Sequence, residues 1–157
     1  MSEPIFFQLS EPAPPGVSWE RVPLPLSGSA AVPSGGDWTR DDDDHVECHS
    51  PSLGITVLLQ QQADVDVADR ADYFASFIEV NTRDAPGYRV LFQTLGWAGP
   101  LPAARVDGQF DNGTHFATRD YVLFLNGTAL MVMARGPFAR ANDVVALVDQ
   151  VAASVQG

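Results

Sequence analysis

His45, Glu47 and His49 alternate with Val46 and Cys48, just after the acidic run Asp41–Asp44. In an extended strand, alternate side chains leave one face about 6.6–7 Å apart. Two imidazoles and a carboxylate are suitable ligands for zinc, and neutral imidazole also suits nickel or copper. Ligands two residues apart must lean together to share one ion at ~2 Å, so a solvated polar face of an edge hairpin is the simpler reading. The aspartate run lacks the DxDxDG spacing of a calcium loop.

Nucleophilic chemistry has a thinner basis. Cys48 is the only cysteine, and strand alternation turns it away from both neighbouring histidines, toward the core. His115 starts a strand after a turn. There is no GxSxG elbow, no glycine-rich dinucleotide fingerprint and no kinase signature. All nine cations are arginine, so neither a Schiff-base lysine nor a GxxxxGK[ST] phosphate loop can be built. The chain reads as non-enzymatic, with no cofactor expected.

Apolar recognition is the third candidate. Around Asn126-Gly127, a strong two-residue hairpin signal, the flanking strands are apolar on both faces. Tyr121, Leu123, Leu125, Leu130 and Val132 share one face. Phe116, Val122, Phe124, Met131 and Met133 share the other, with Ala129. A sheet with one solvated face alternates apolar and polar. Two apolar faces mean either burial on both sides, with the long N-terminal segment as one cover, or a groove for an apolar partner. Methionine and aromatic side chains suit adaptable recognition.

The elements that position these residues follow from periodicity. Residues 4–9 read as a short strand. Residues 10–44 are rich in Pro, Gly and Ser, and are expected to pack extended on the body of a single domain spanning 1–157, with a short strand near Trp19–Leu24. Residues 45–62 form a hairpin. Val67, Ala71, Phe74 and Ile78 mark one face of a helix over 66–80, capped by Asp64 or Asp66 and closed by Asp84-Ala-Pro86-Gly87. Strands follow over 88–95, 103–110, 114–125 and 128–135. Gly96–Pro100 reads as a loop and Asp111-Asn112-Gly113 as a tight turn. The Asn126-Gly127 turn pairs Leu125 with Thr128, Leu123 with Leu130 and Tyr121 with Val132. A last helix, capped by Asn142 or Asp143, runs to about Val155 with Val144, Val148, Val151 and Val155 inward. This is an α+β domain: an antiparallel sheet of about six or seven strands packed with two main helices.

Nine Lys+Arg against twenty Asp+Glu give a formal charge of −11 over 157 residues. Phosphate neutralisation needs cations, so nucleic-acid binding is not expected, nor is attachment to anionic lipid. The first residues carry acids where a signal peptide has a basic region, and they lack a lipobox cysteine. No apolar run approaches bilayer length. The expected setting is cytoplasmic, without membrane anchoring. A homodimer is compatible with the apolar faces.

The entry Val32-Pro-Ser-Gly-Gly-Asp-Trp38, the hairpin and helix after it, the step Val106-Asp-Gly-Gln-Phe110 in the meander and the final helix resemble the PsbP-like/DcrB-like superfamily from about residue 20 onward. Its members include the photosystem extrinsic protein, a Ran-binding nuclear import factor, bacterial DcrB proteins and LpqN-like lipoproteins. Eag-type chaperones of type VI secretion belong there too, and they shield apolar effector segments against the sheet. The resemblance implies the fold and carries no shared catalytic residues. It favours a bacterial protein-binding adaptor or chaperone that shields an apolar partner segment. The acidic surface leaves a toxin-neutralising immunity protein as one alternative, and His45, Glu47 and His49 leave a metal-binding protein as another.

Overall fold

The computed structural model describes residues 6–7, 16–111 and 113–157. Nine strands and two helices follow in the order β1 (Ser18–Pro23), β2 (Ser29–Ser34), β3 (Thr39–Asp42), β4 (Val46–Ser50), β5 (Ile55–Gln62), α1 (Arg70–Asp84), β6 (Tyr88–Ala98), β7 (Leu101–Asp111), β8 (His115–Leu125), β9 (Thr128–Pro137) and α2 (Ala141–Ser154). β1 and β2 pair as a separate hairpin. The other strands make one antiparallel sheet in the order β3-β4-β5-β9-β8-β7-β6. The α+β class is as the periodicity predicts.

The central register is set by one turn. Asn126 and Gly127 both take positive φ, 52° and 72°, matching the twist of the strands they join. Leu125 pairs with Thr128, Leu123 with Leu130 and Tyr121 with Val132, as that turn requires.

One face of the sheet is closed by α2 together with the β1–β2 hairpin. Val144, Leu147, Val148 and Val151 of α2 meet Tyr121, Leu123, Leu130 and Val132, and Val22 and Val32 of the hairpin join the same core. Arg21 and the Ala31 backbone N–H both bond to Ser154 at the end of α2. A two-way backbone pairing of Ser29 with Gln156 completes the tie. The described part of the N-terminal segment, from Gly16 through the β1–β2 hairpin, therefore lies on the α2 side. Its small alternating residues fit beside a helix rich in valine and alanine.

α1 covers the second face, and only in part. Phe74 is its one fully buried residue, set among Val122, Phe124, Ala129 and Val106, with Tyr73, Phe77 and Ile78 alongside. Tyr73 stands edge-on to Phe124 at 6.1 Å.

Several boundaries differ from the sequence reading. α1 begins at Arg70, because Asp66 caps a preceding 3-10 turn by accepting the Ala68 N–H at 2.9 Å. Val67 is consequently 44% exposed and not on the helix face, and Ala71 is exposed too. α1 continues to Asp84, where Pro86 stops it. Gly96–Pro100 is not a loop: Leu95, Gly96 and Trp97 pair with Ala104, Ala103 and Pro102, leaving Gly99-Pro100 as the turn. α2 starts at Ala141 with no side-chain cap. Asp143 meets Arg140 at 3.4 Å instead. The Pro/Gly-rich run holds β2 and β3 as well as β1, since Gly35 and Gly36 turn the chain between them at positive φ. Of the strand expected over 4–9, Phe6 bridges Trp97 in parallel, and Phe7 packs edge-on against Tyr121 at 5.5 Å. The rest of it, and Asn112, lie outside the described residues.

Candidate functional site: a half-covered sheet face

α1 spans one half of its face. Over the other half a groove of about 660 Å3 runs from Glu47 on β4 to the last turn of α1 at Asn81 and Asp84. Leu58, Phe110, Phe116 and Met133 supply its apolar lining, each of them half-buried. Six adjacent strands lie between β4 and β6. Five spacings of ~4.8 Å make the trough roughly 24 Å long, the length of about seven extended residues.

The floor is polar at its centre. Thr118 and Asp120 follow the same alternation as Phe116, Val122 and Phe124, so they point to the α1 face, and both are buried at 7% exposure. Among the described residues no hydrogen bond or ion pair reaches the Asp120 carboxylate. Burial pushes its pKa up to about 7, with the Arg135 charge opposing and Asp107 adding to the rise. Arg135 is an exposed residue whose guanidinium lies over the Phe110 ring, 6.0 Å from its centroid.

Tyr88 reaches the same floor from β6. Its ring lies over Gly108, where a Cβ would come within 2.7 Å of the phenol oxygen. Only glycine lets the ring lie this low. The Tyr88 and Thr118 hydroxyls are buried without a well-formed hydrogen bond among the described residues, although the Thr118 hydroxyl is near enough to the Tyr88 oxygen to act on it as a hydrogen-bond partner. The Tyr88 pKa is driven to about 12 chiefly by burial and then by the Asp120 charge. A buried polar group left without a partner costs about 1–3 kcal/mol. Here three line the same stretch of an open groove floor.

The five residues predicted to bind a partner divide accordingly. Phe116 and Met133 line the groove. Val122 and Phe124 are buried beneath α1, and Met131 packs there with its sulfur 3.9 Å from the Tyr73 hydroxyl. Sequence reasoning missed Asp120, Thr118 and Tyr88. The available signal was that Thr118 and Asp120 break an otherwise apolar face.

The predicted metal trio is not assembled as a set. His49 bonds through Nδ1 to the Thr56 hydroxyl at 2.9 Å. Asp41 takes its place: Asp41, His45 and Glu47 offer ligand atoms within 4.8 Å of one another, because β3 pairs Asp41 with Glu47. His45 Nδ1 lies 2.8 Å from Asp44, and that hydrogen bond outweighs desolvation and, with the charges of Asp44, Glu47 and Asp41, raises the His45 pKa. Cys48 is buried on the opposite face, with its thiol pushed up to about 11 by desolvation. A thiol so protonated is a poor nucleophile. His115 stacks on Phe138 at 4.2 Å, away from the groove residues.

No protein-family model matches the chain, and no curated protein matches its sequence. Solved structures do match. The Ran-binding protein Mog1p of Saccharomyces cerevisiae superposes with a TM-score of 0.63 at 10% identity, over 89% of this chain and 95% of that one. LpqN of Mycobacterium tuberculosis, a protein involved in cell envelope biogenesis, gives 0.59 at 14% identity, over 89% of this chain and 90% of that one. The cyanobacterial PsbP of Synechocystis gives 0.64 at 14% identity, over 88% and 92%. The fold is that of the PsbP-like and Mog1-like proteins. At these identities the likeness speaks for the fold alone. Among the described residues no helix is long and apolar enough to cross a membrane.

Proposed function

We propose that the protein is a non-catalytic adaptor or chaperone that holds an extended apolar segment of a partner protein in the groove beside α1. The observation that carries this reading is the half-covered face. α1 buries Val122 and Phe124, whereas Phe116, Met133, Leu58 and Phe110 line an open trough. Filling that trough would remove apolar surface from water at roughly 25 cal/mol per Å2. The Mog1p fold supports a protein partner in kind, since that protein binds Ran. The charge of −11 keeps a carrier of apolar segments dissolved and favours partners with basic flanks.

The test is capture from the source lysate with wild-type protein and Met133→Asp side by side. A stoichiometric partner should be held by wild type and lost by the variant, while the melting temperature stays within a few degrees of wild type. A partner retained by Met133→Asp would remove the groove from the binding surface.

A further inference from the structure

We propose that the segment held in the groove carries a lysine, and that its ammonium group is anchored on the groove floor by Asp120, Thr118 and Tyr88. This deepens the groove reading above and rests on it.

The argument starts from what the floor lacks. Asp120, Thr118 and Tyr88 are each more than nine-tenths buried and line the same groove; among the described residues Asp120 has no hydrogen bond or ion pair, and the two neighbouring hydroxyls have at most each other. All three can accept a hydrogen bond. An ammonium group has three donors on one compact charge and can be shared among three separate acceptors, whereas a guanidinium pairs best side-on with both oxygens of a single carboxylate. The four-carbon stem of lysine would lie along Phe116 and Met133, leaving only its head at the carboxylate. Charge complementarity agrees. Glu47, Asp84 and Asp120 line the groove against the single cation Arg135, which is drawn aside over Phe110. The occupant is a different protein, because this chain contains no lysine to offer from a second copy.

Binding an ammonium group requires Asp120 to be ionised, so affinity depends on pH. The charged and titratable groups that act on Asp120 are Arg135 on β9 and Tyr88 on β6, with Asp107 of β7 acting through the sheet from the face where Arg119 holds it, and Asp84 of α1 and Glu47 of β4 at the groove ends. His45, whose pKa is raised chiefly by its hydrogen bond to Asp44, lies beyond Glu47. An Asp120→Asn control separates its contribution.

The probe is a library of random heptapeptides displayed on phage, selected at pH 8 against wild type and against Met133→Asp. The expected winners are apolar peptides with one lysine at a fixed position, and they fail on Met133→Asp. In the best of them, remade synthetically, lysine to norleucine should weaken binding about tenfold or more on wild type. On Asp120→Asn the same change should cost less than about twofold. From pH 8 to pH 6 wild type should lose about tenfold, given a carboxyl titrating near 7, and Asp120→Asn should stay flat. Thr118→Val removes one acceptor without altering charge, and should weaken the lysine peptide alone. It stands in if Asp120→Asn does not hold its fold.

Apolar winners without lysine that still fail on Met133→Asp would overturn the anchor and keep the groove. An equal norleucine loss on Asp120→Asn would overturn Asp120 as the anchor. No winners, or winners indifferent to Met133→Asp, would overturn the groove reading and the anchor with it.

Discussion

Two aspartates are buried on opposite faces of one sheet, and their surroundings differ completely. Asp149 on α2 is 1% exposed. Tyr121 donates to it at 2.6 Å, and Arg119 donates to both of its oxygens at 3.1 and 3.2 Å. Arg119 also holds Asp107 at 2.8 Å. Asp120, one strand position from Tyr121, points the other way and has no such partner. The closed α2 face satisfies the Asp149 charge internally, with the Arg105 Nε the one buried side-chain nitrogen there that lacks a hydrogen bond among the described residues. The half-open α1 face leaves its charge for something outside. Burial alone therefore does not separate a structural carboxylate from a binding one; the inventory of partners does.

The largest effect should come from breaking the satisfied side. Asp149→Ala strands Arg119 and the Tyr121 hydroxyl in the core, and should cost about 3–5 kcal/mol in urea unfolding. A loss below 1 kcal/mol would mean that the network is not what closes that face.

Next is the hold of α1 on the sheet. Phe74→Ala should cost about 3 kcal/mol, at the low end for a buried phenylalanine because the cluster around it is small. Amide exchange in α1 should accelerate while α2, with seven buried residues against one in α1, stays protected. Equal exchange in the two helices of wild type would erase the contrast between the faces.

Asp120→Asn should act in the opposite sense. Its folded pKa of about 7 stands above the ordinary 3.8, so the folded state binds more protons between those values. Its contribution to stability is then greatest below pH 4, falls as pH rises toward 7, and is flat beyond. The ionised carboxylate costs about 4 kcal/mol by that shift, and an unpaired buried amide gives back about 1–3. The variant should gain about 1–3 kcal/mol at pH 8 and nothing at pH 4, read from unfolding at both. A variant less stable at pH 8 would show that Asp120 is satisfied after all.

The smallest effect belongs to His45. Its folded pKa is raised by Asp44, so its contribution is present below the ordinary histidine range and disappears as pH rises through the folded value. His45→Ala should be slightly destabilised at pH 5 and indistinguishable from wild type at pH 8, by thermal melts at both.

Much of this molecule was legible in its residues. Asn126-Gly127 dictates the register of the central hairpin, and alternation dictates which of its side chains share a face. The valines of α2 announce its buried stripe, and the period change at Phe74 announces α1. Local rules decide these features, since turn geometry and side-chain periodicity act over a few residues. The same alternation puts Asp120 on the face of Val122, Phe124 and Phe116, a signal the sequence reading passed over. What alternation could not show was how far α1 reaches along that face, which side the N-terminal hairpin takes, or that Tyr88 would lie over Gly108 of the neighbouring strand. It also put His49 with His45, whereas the β3–β4 pairing brought Asp41 there. Those outcomes depend on contacts between residues distant in sequence. The local pattern of a buried polar residue is the same whether its partner is present or missing. Only the packed fold decides that Asp149 finds Arg119 and Tyr121 while Asp120 faces an open groove.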